Sequence, residues 1–185
     1  VFDIRTDLLE YNKGVLFEID DQNLRIDNVS LQIKKSKDST ASLIMKHKAR
    51  GKNNSDARQR AHLFDYPFEQ NGGYLILSEC FSVPKEALFR GQELKLTLHL
   101  PVGNEIFLDP SIENLIFDIE NVHNIWDGNM VGHTWRMSEK GLVCVDCEEI
   151  EYFDESEIED TKEIQLKIKN LESEIERLKK TKLEA

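Results

Sequence analysis

The chain has 185 residues and a net charge of −11, from 35 acidic against 24 basic side chains. That length allows one hydrophobic core but not two well-buried domains plus a helical coil, and the acidity argues against a nucleic-acid surface. No apolar run reaches the roughly 18–20 residues that cross a bilayer, and no signal-peptide pattern is present. The first residue is valine, which leads us to expect a fragment or a processed chain.

In chain order, the first predicted strand covers Val15–Ile19. Val29, Leu31 and Ile33 then alternate with Ser30, Gln32 and Lys34, the period of a half-buried strand. A further strand is expected at Ser42–Lys48. Ser55 can cap a helix from Asp56 to Phe64, in which Ala57, Ala61 and Phe64 make a narrow apolar stripe. Tyr74–Leu77 reads as a strand, and Leu94, Leu96, Leu98 and Leu100 alternate with Lys95, Thr97 and His99. Short strands follow at Glu105–Leu108, Leu115–Ile119, Thr134–Met137 and Leu142–Val145. Turn signals separate the elements at Asp27-Asn28, Gly72-Gly73, Pro101-Val102-Gly103 and Asp127-Gly128.

From Gly103 onward, brief apolar stretches are punctuated by Asn104, Asp109, Asn114, Asn121 and Asn124, residue types that tolerate left-handed corners. Short strands with such corners suit a chain that winds and stacks on itself. The expected fold is therefore mainly β, an irregular solenoid-like body over residues 1–150 with one short helix. No strict repeat of about 20 residues is visible.

Residues 151–185 read as the rest of an acidic linker followed by a helix. Eight acids and no base occur between Glu148 and Asp160, and Ser156 with Glu159 forms a capping box. Ile164, Ile168, Leu171, Ile175 and Leu178 then fall on a heptad, isoleucine at a and leucine mostly at d, the preference of parallel two-stranded coils. In a parallel pair Lys167 would face Glu172 and Glu174 would face Lys179. We expect a homodimer through residues 160–183; the alternative is a single helix packed on its own domain.

Candidate chemistry is sparse. Cys144 and Cys147 form a CxxC, but only Cys80 remains to complete a zinc set. On a strand, residues three apart point to opposite faces, which disfavours a local disulfide, and we expect structural thiols, with Cys80 pairing as the alternative. His123 and His133 flank Asp127, yet a hydrophobic turn pinned by Trp126, Met130 and Trp135 explains that segment more simply than a metal site. Asp118 and Glu120 share one strand face, whereas a glycosidase needs carboxylates across a bond. Arg90-Gly91-Gln92 could bind an anion, but an Arg beside a turn that leads into a strand is more often structural. No GxSxG, P-loop or dinucleotide fingerprint occurs.

Two stretches are more specific: Arg90 to Asp109, and Trp126-Asp-Gly-Asn-Met-Val-Gly-His-Thr-Trp135 through Met137 to Gly141-Leu-Val-Cys-Val-Asp-Cys147. With Gly51 to Phe81, including Ala57, Ala61 and Tyr66-Pro67, they resemble the C-terminal soluble region of PspC-domain (phage shock protein C) membrane proteins of Bacteroides-type bacteria. The resemblance covers roughly residues 15–147. It implies a toastrack or LiaF-like domain, similar to irregular right-handed β-helices. The implied role is non-enzymatic: sensing or scaffolding in an envelope-stress response, at the bacterial inner membrane through segments absent from this chain. It brings no catalytic residue, cofactor or metal, and no role for the CxDC ending at Cys144, Asp146 and Cys147. Envelope-stress proteins or membrane components are the implied partners. The competing readings are a surface adhesin or glycan-binding β-helix, using Trp126, Trp135 and Tyr66, and a hydrolase built around residues 118–133.

Overall fold

The computed structural model describes residues 2–6, 17–19 and 22–147. Over them the chain forms β1 (Phe2–Thr6), β2 (Phe17–Ile19), β3 (Asn23–Ile26), β4 (Val29–Lys35), β5 (Ser42–Lys48), helix α1 (Asn54–Ala61), β6 (Phe68–Asn71), β7 (Tyr74–Leu77), β8 (Phe81–Pro84), β9 (Glu93–Leu100), β10 (Glu105–Leu108), β11 (Thr134–Ser138) and β12 (Gly141–Cys144). Short 3-10 turns occur at Lys85–Ala87, Pro110–Ile112 and Asp127–Asn129. The heptad residues Ile164, Ile168, Leu171, Ile175 and Leu178 lie outside the described residues, as does the acidic run from Glu148.

The alternation of β4 and β9 has its expected result. The two strands pair in parallel with Leu31 opposite Leu96 and Ile33 opposite Leu98, while β5 adds antiparallel on the far side with Met45 opposite Leu96. Leu94, Leu96 and Leu100 are almost wholly buried, and Lys95 between them faces water. A second sheet has the order β2-β3-β8, and a third, six-stranded, the order β12-β11-β10-β1-β7-β6.

The chain passes through the three sheets in the same sequence twice. β1, β3 and β4 make one circuit; β7, β8 and β9 make another. β1 pairs in parallel with β7, and β4 with β9. A third circuit starts with β10, parallel to the other edge of β1, and reaches Ile116, which bridges Leu31 on the open side of β4. The winding departs from a regular solenoid in two respects. β3 and β8 pair antiparallel, and the circuit that comes first in the chain lies between the two later ones. Ile4, Ile26, Leu31, Leu77, Phe81 and Ile106, drawn from all three sheets, are among the largest fully buried side chains.

Several local expectations are corrected. Helix α1 is capped by Asn53, not Ser55: the Asn53 carboxamide accepts from the Asp56 amide at 2.9 Å. The helix stops at Ala61 and buries none of its residues. Phe64 lies beyond it, stacked between His47 and Phe81 at centroid distances of 4.9 and 4.4 Å.

Leu115–Ile119 is not a strand. Leu115 and Ile116 both donate backwards to Ile112, closing a turn, and only the Leu31–Ile116 bridge is formed. Leu115 and Ile116 are both buried although adjacent, which no alternation allows, while Phe117 is 62% exposed. Among the five proposed corners only Asn124 has a positive φ, of 51°. Asp109 instead caps the Pro110–Ile112 turn through the Ser111 amide at 2.9 Å, and the Asn121 side chain accepts from Ile125 N and donates to the Ile119 and Ile125 carbonyls. These polar side chains replace missing backbone partners rather than supply left-handed turns.

Candidate functional site

The β11–β12 hairpin builds the densest group of reactive side chains among the described residues. Its turn is short: the Ser138 hydroxyl donates to the Gly141 carbonyl at 2.6 Å, and Gly141 takes φ 129°. Register runs Met137 to Leu142 and Trp135 to Cys144. One step further, the Val145 amide donates to the Thr134 carbonyl at 2.8 Å, which sets Asp146 opposite His133. Trp135 anchors this end. Its side chain is fully buried, and its indole N–H donates to the Met130 carbonyl at 2.8 Å.

Beyond β12 the chain bends at Val145-Asp146 and returns Cys147 towards Cys144. The two sulfurs are bonded, with Cα atoms 5.7 Å apart. This corrects the expectation of unpaired structural thiols: the opposite-face rule holds within a strand, and the strand ends at Cys144. Cys80 forms no disulfide; its neighbour is the Ser78 hydroxyl.

Asp146 is the hub of this corner. Its carboxylate accepts from the Thr134 amide at 2.9 Å, and its Oδ1 lies 3.3 Å from His133 Nδ1 and 3.7 Å from Cys144 Sγ. Burial acts to raise its pKa, but the Thr134 bonds and the His133 ring outweigh that and hold it below the ordinary carboxylate range. One atom each from His133, Cys144, Asp146 and Cys147 lie within 4.8 Å of one another. Two sulfurs, an imidazole nitrogen and a carboxylate oxygen can exchange disulfides or, with the sulfurs reduced, ligate a borderline-soft cation.

The sequence spacing groups His133 with His123 and Asp127, and offers Cys80 as the remaining cysteine beside Cys144 and Cys147. The usable signal was hairpin register: once strands are assigned on either side of Glu139-Lys140, counting outward pairs His133 with Asp146. The structure does not bring the earlier set together. Asp127 accepts from the Asp118 and Ile119 amides at 2.7 and 3.0 Å, fastening a loop, and the His133 cluster includes neither Asp127 nor His123. Asp118 has φ 54° and lies on no strand, so its carboxylate is not paired with Glu120 across a sheet face.

The aromatic set is divided as well. Trp126 is 74% exposed, its ring lying over Gly128, whereas Trp135 is core and Tyr66 donates from its hydroxyl to the Ser78 carbonyl. The pinned turn therefore uses Met130 and Trp135 but not Trp126. Arg90 lines a cleft of about 230 Å³ with Arg50, Lys52 and Arg60. Asp56 within that cleft already takes Arg60 at 3.0 Å, and Gln92 closes the Arg90 turn by donating to the Leu88 carbonyl.

Stacked short strands on three sheets, fastened at one end by a cysteine-bearing hairpin, define a layered, mainly β domain, and its family is that of the toast-rack domains. The chain belongs to that family: the family described as "ToastRack found in some PspC" matches residues 17–150. Neither a curated protein nor a solved structure matches the chain.

Proposed function

We propose that this chain supplies the non-enzymatic, sensing or scaffolding part of a membrane-anchored PspC-type envelope-stress protein from a Bacteroides-type bacterium. The observation that carries the reading is the family match over residues 17–150, which covers nearly all of the described β body. In this reading residues 1–150 form the toast-rack domain, its winding right-handed. Residues 151–185 form the linker and a self-associating helix that meets a second copy through Ile164, Ile168, Leu171, Ile175 and Leu178. Anchoring in this reading belongs to other segments of the protein; no helix among the described residues is long and apolar enough to cross a membrane. A stress signal would act by population shift, favouring one assembly state through its differential affinity.

The test is light scattering behind size exclusion, on residues 1–185 and on a version ending at Glu151. A dimer that becomes a monomer on truncation supports a coil that sets assembly. In cells, deleting residues 160–183 from the anchored parent should abolish the stress-reporter response. An unchanged response together with unchanged assembly would sink the proposal.

A further inference from the structure

The geometry of the hairpin corner points to a second state of the same four side chains. We propose that, with its sulfurs reduced, the corner binds one zinc-class divalent cation through Cys144, Cys147, His133 and Asp146, and that disulfide formation releases it. Nothing in this depends on the membrane reading above.

The donor set comes first. Two thiolates, an imidazole and a carboxylate are the ligand types that zinc accepts in four-coordinate sites. With zinc–ligand bonds of roughly 2.0–2.3 Å, tetrahedral ligand atoms stand about 3.3–3.8 Å from one another. The four candidate atoms already lie within 4.8 Å. Opening the sulfur–sulfur bond and rotating side chains therefore completes the site without moving a strand.

Second, the backbone is set by elements that owe nothing to a metal. Trp135 and Met137 fix β11 in the core, Leu142 fixes β12, and the register delivers His133 opposite Asp146. Third, an outer-shell donor is in place. The Thr134 amide holds the Asp146 carboxylate at 2.9 Å, the kind of support that orients a ligating group. His133 and Asp146 retain 33% and 48% side-chain exposure, so an ion has a route in, while Cys147 is buried.

The two states exclude each other, because each sulfur is committed either to its partner or to the ion. A dithiol reductant supplies two electrons and two protons to the Cys144–Cys147 bond, giving two thiols and the reductant's own disulfide. The cation then displaces both thiol protons to solvent and forms two metal–sulfur bonds. A small-molecule disulfide oxidant runs the cycle backwards: the thiolates form the Cys144–Cys147 bond, the oxidant leaves as two thiols after taking up two protons, and the cation departs. The corner would thus couple metal occupancy to thiol redox poise.

The experiment uses the whole 185-residue chain, with cobalt(II) as the spectroscopic probe and zinc(II) as competitor. The reduced chain should take up one equivalent of cobalt, with a thiolate-to-cobalt charge-transfer band and the intense visible bands of tetrahedral coordination, and zinc should bleach both. The oxidised chain should give neither. Asp146→Asn keeps an oxygen for the Thr134 amide, and His133→Gln keeps a polar side chain; each should weaken binding at least about tenfold. Cys80→Ser should change nothing, and circular dichroism of every variant confirms that the fold persists. No charge-transfer band in the reduced chain would overturn the site. So would equal binding by the oxidised chain, or affinities within about twofold of wild type in both the Asp146 and His133 variants.

Discussion

Replacing Trp135 with phenylalanine should be among the most damaging conservative changes in this protein. The indole is fully buried, and its N–H satisfies the carbonyl of Met130, itself a buried residue. Phenylalanine removes about three ring atoms, worth roughly 2 kcal/mol at about 0.8 kcal/mol per buried methylene-sized group. It also leaves the Met130 carbonyl without that donor, for about 1–2 kcal/mol more. The sum is about 3–4 kcal/mol, a large share of the roughly 5–15 kcal/mol that holds a domain folded. With a urea slope of about 2 kcal/mol per molar, the midpoint should fall by about 2 M. The assay is urea unfolding followed by far-ultraviolet circular dichroism, with Trp126→Phe as control. Trp126 is 74% exposed, and its replacement should stay within about 0.5 kcal/mol of wild type. Fluorescence gives an independent check, since the chain has two tryptophans. The emission left in Trp126→Phe should be blue-shifted and poorly quenched by acrylamide. A Trp135→Phe loss below about 1 kcal/mol, or equal losses in the two variants, would refute the assignment of Trp135 as the anchor of the hairpin.

Three further predictions concern local geometry. Gly141→Ala places a Cβ 3.3 Å from the Glu120 carbonyl at φ 129°, a conformation hostile to L residues, and should lower stability by about 2 kcal/mol or more in a thermal melt. Asn53→Ala should cost about 1 kcal/mol while Ser55→Ala costs less than half of that; the reverse order would return the cap of α1 to Ser55. The Ser111 hydroxyl, and then its amide, hold the Asp109 carboxyl below its ordinary pKa. A depressed folded-state pKa contributes stability above the unfolded value and loses it as pH falls through the folded value. Asp109→Asn should therefore be the less stable chain near neutrality, with the gap to wild type closing on acidification below the usual carboxylate range. A gap that stays constant in pH-dependent urea titrations would contradict this.

What could be read from the sequence was whatever a strict alternation announces. β4 and β9 are seven and eight residues long and place every second side chain in the core, so their period was plain. β3 and β8 have four residues each, too few for a period to stand out, and β8 ends in Pro84. β6, Phe-Glu-Gln-Asn, is exposed at all four positions, because it is an edge strand held by its pairing with β7. Leu115–Ile119 differed in the other direction: Leu115, Ile116 and Ile119 are buried beside the open edge of β4 without an extended strand, and Phe117 between them is exposed. The CxDC corner needed one more inference than the local pattern supplied. His133 and Asp146 are brought together by hairpin register, and Cys147 by a bend after the strand has ended. The family resemblance was legible because it rests on long stretches rather than on any of these elements.

The inverted order of the circuits has a consequence for how the chain acquires its structure on the ribosome. In an ordinary solenoid each completed coil becomes a template for the next, so folding can follow synthesis residue by residue. Here β1 and β4 emerge first but form the middle layer. Each waits for partners on both sides: β7 and β10 for β1, β9 and the Ile116 segment for β4. These pairings are parallel and far apart in sequence, the kind whose closure is entropically slow. The nascent amino-terminal circuit therefore stays with open strand edges until about 80 further residues have followed it out of the tunnel. Its vulnerability to wrong pairing in that interval, more than the stability of the finished domain, is where a co-translational chaperone would find its substrate.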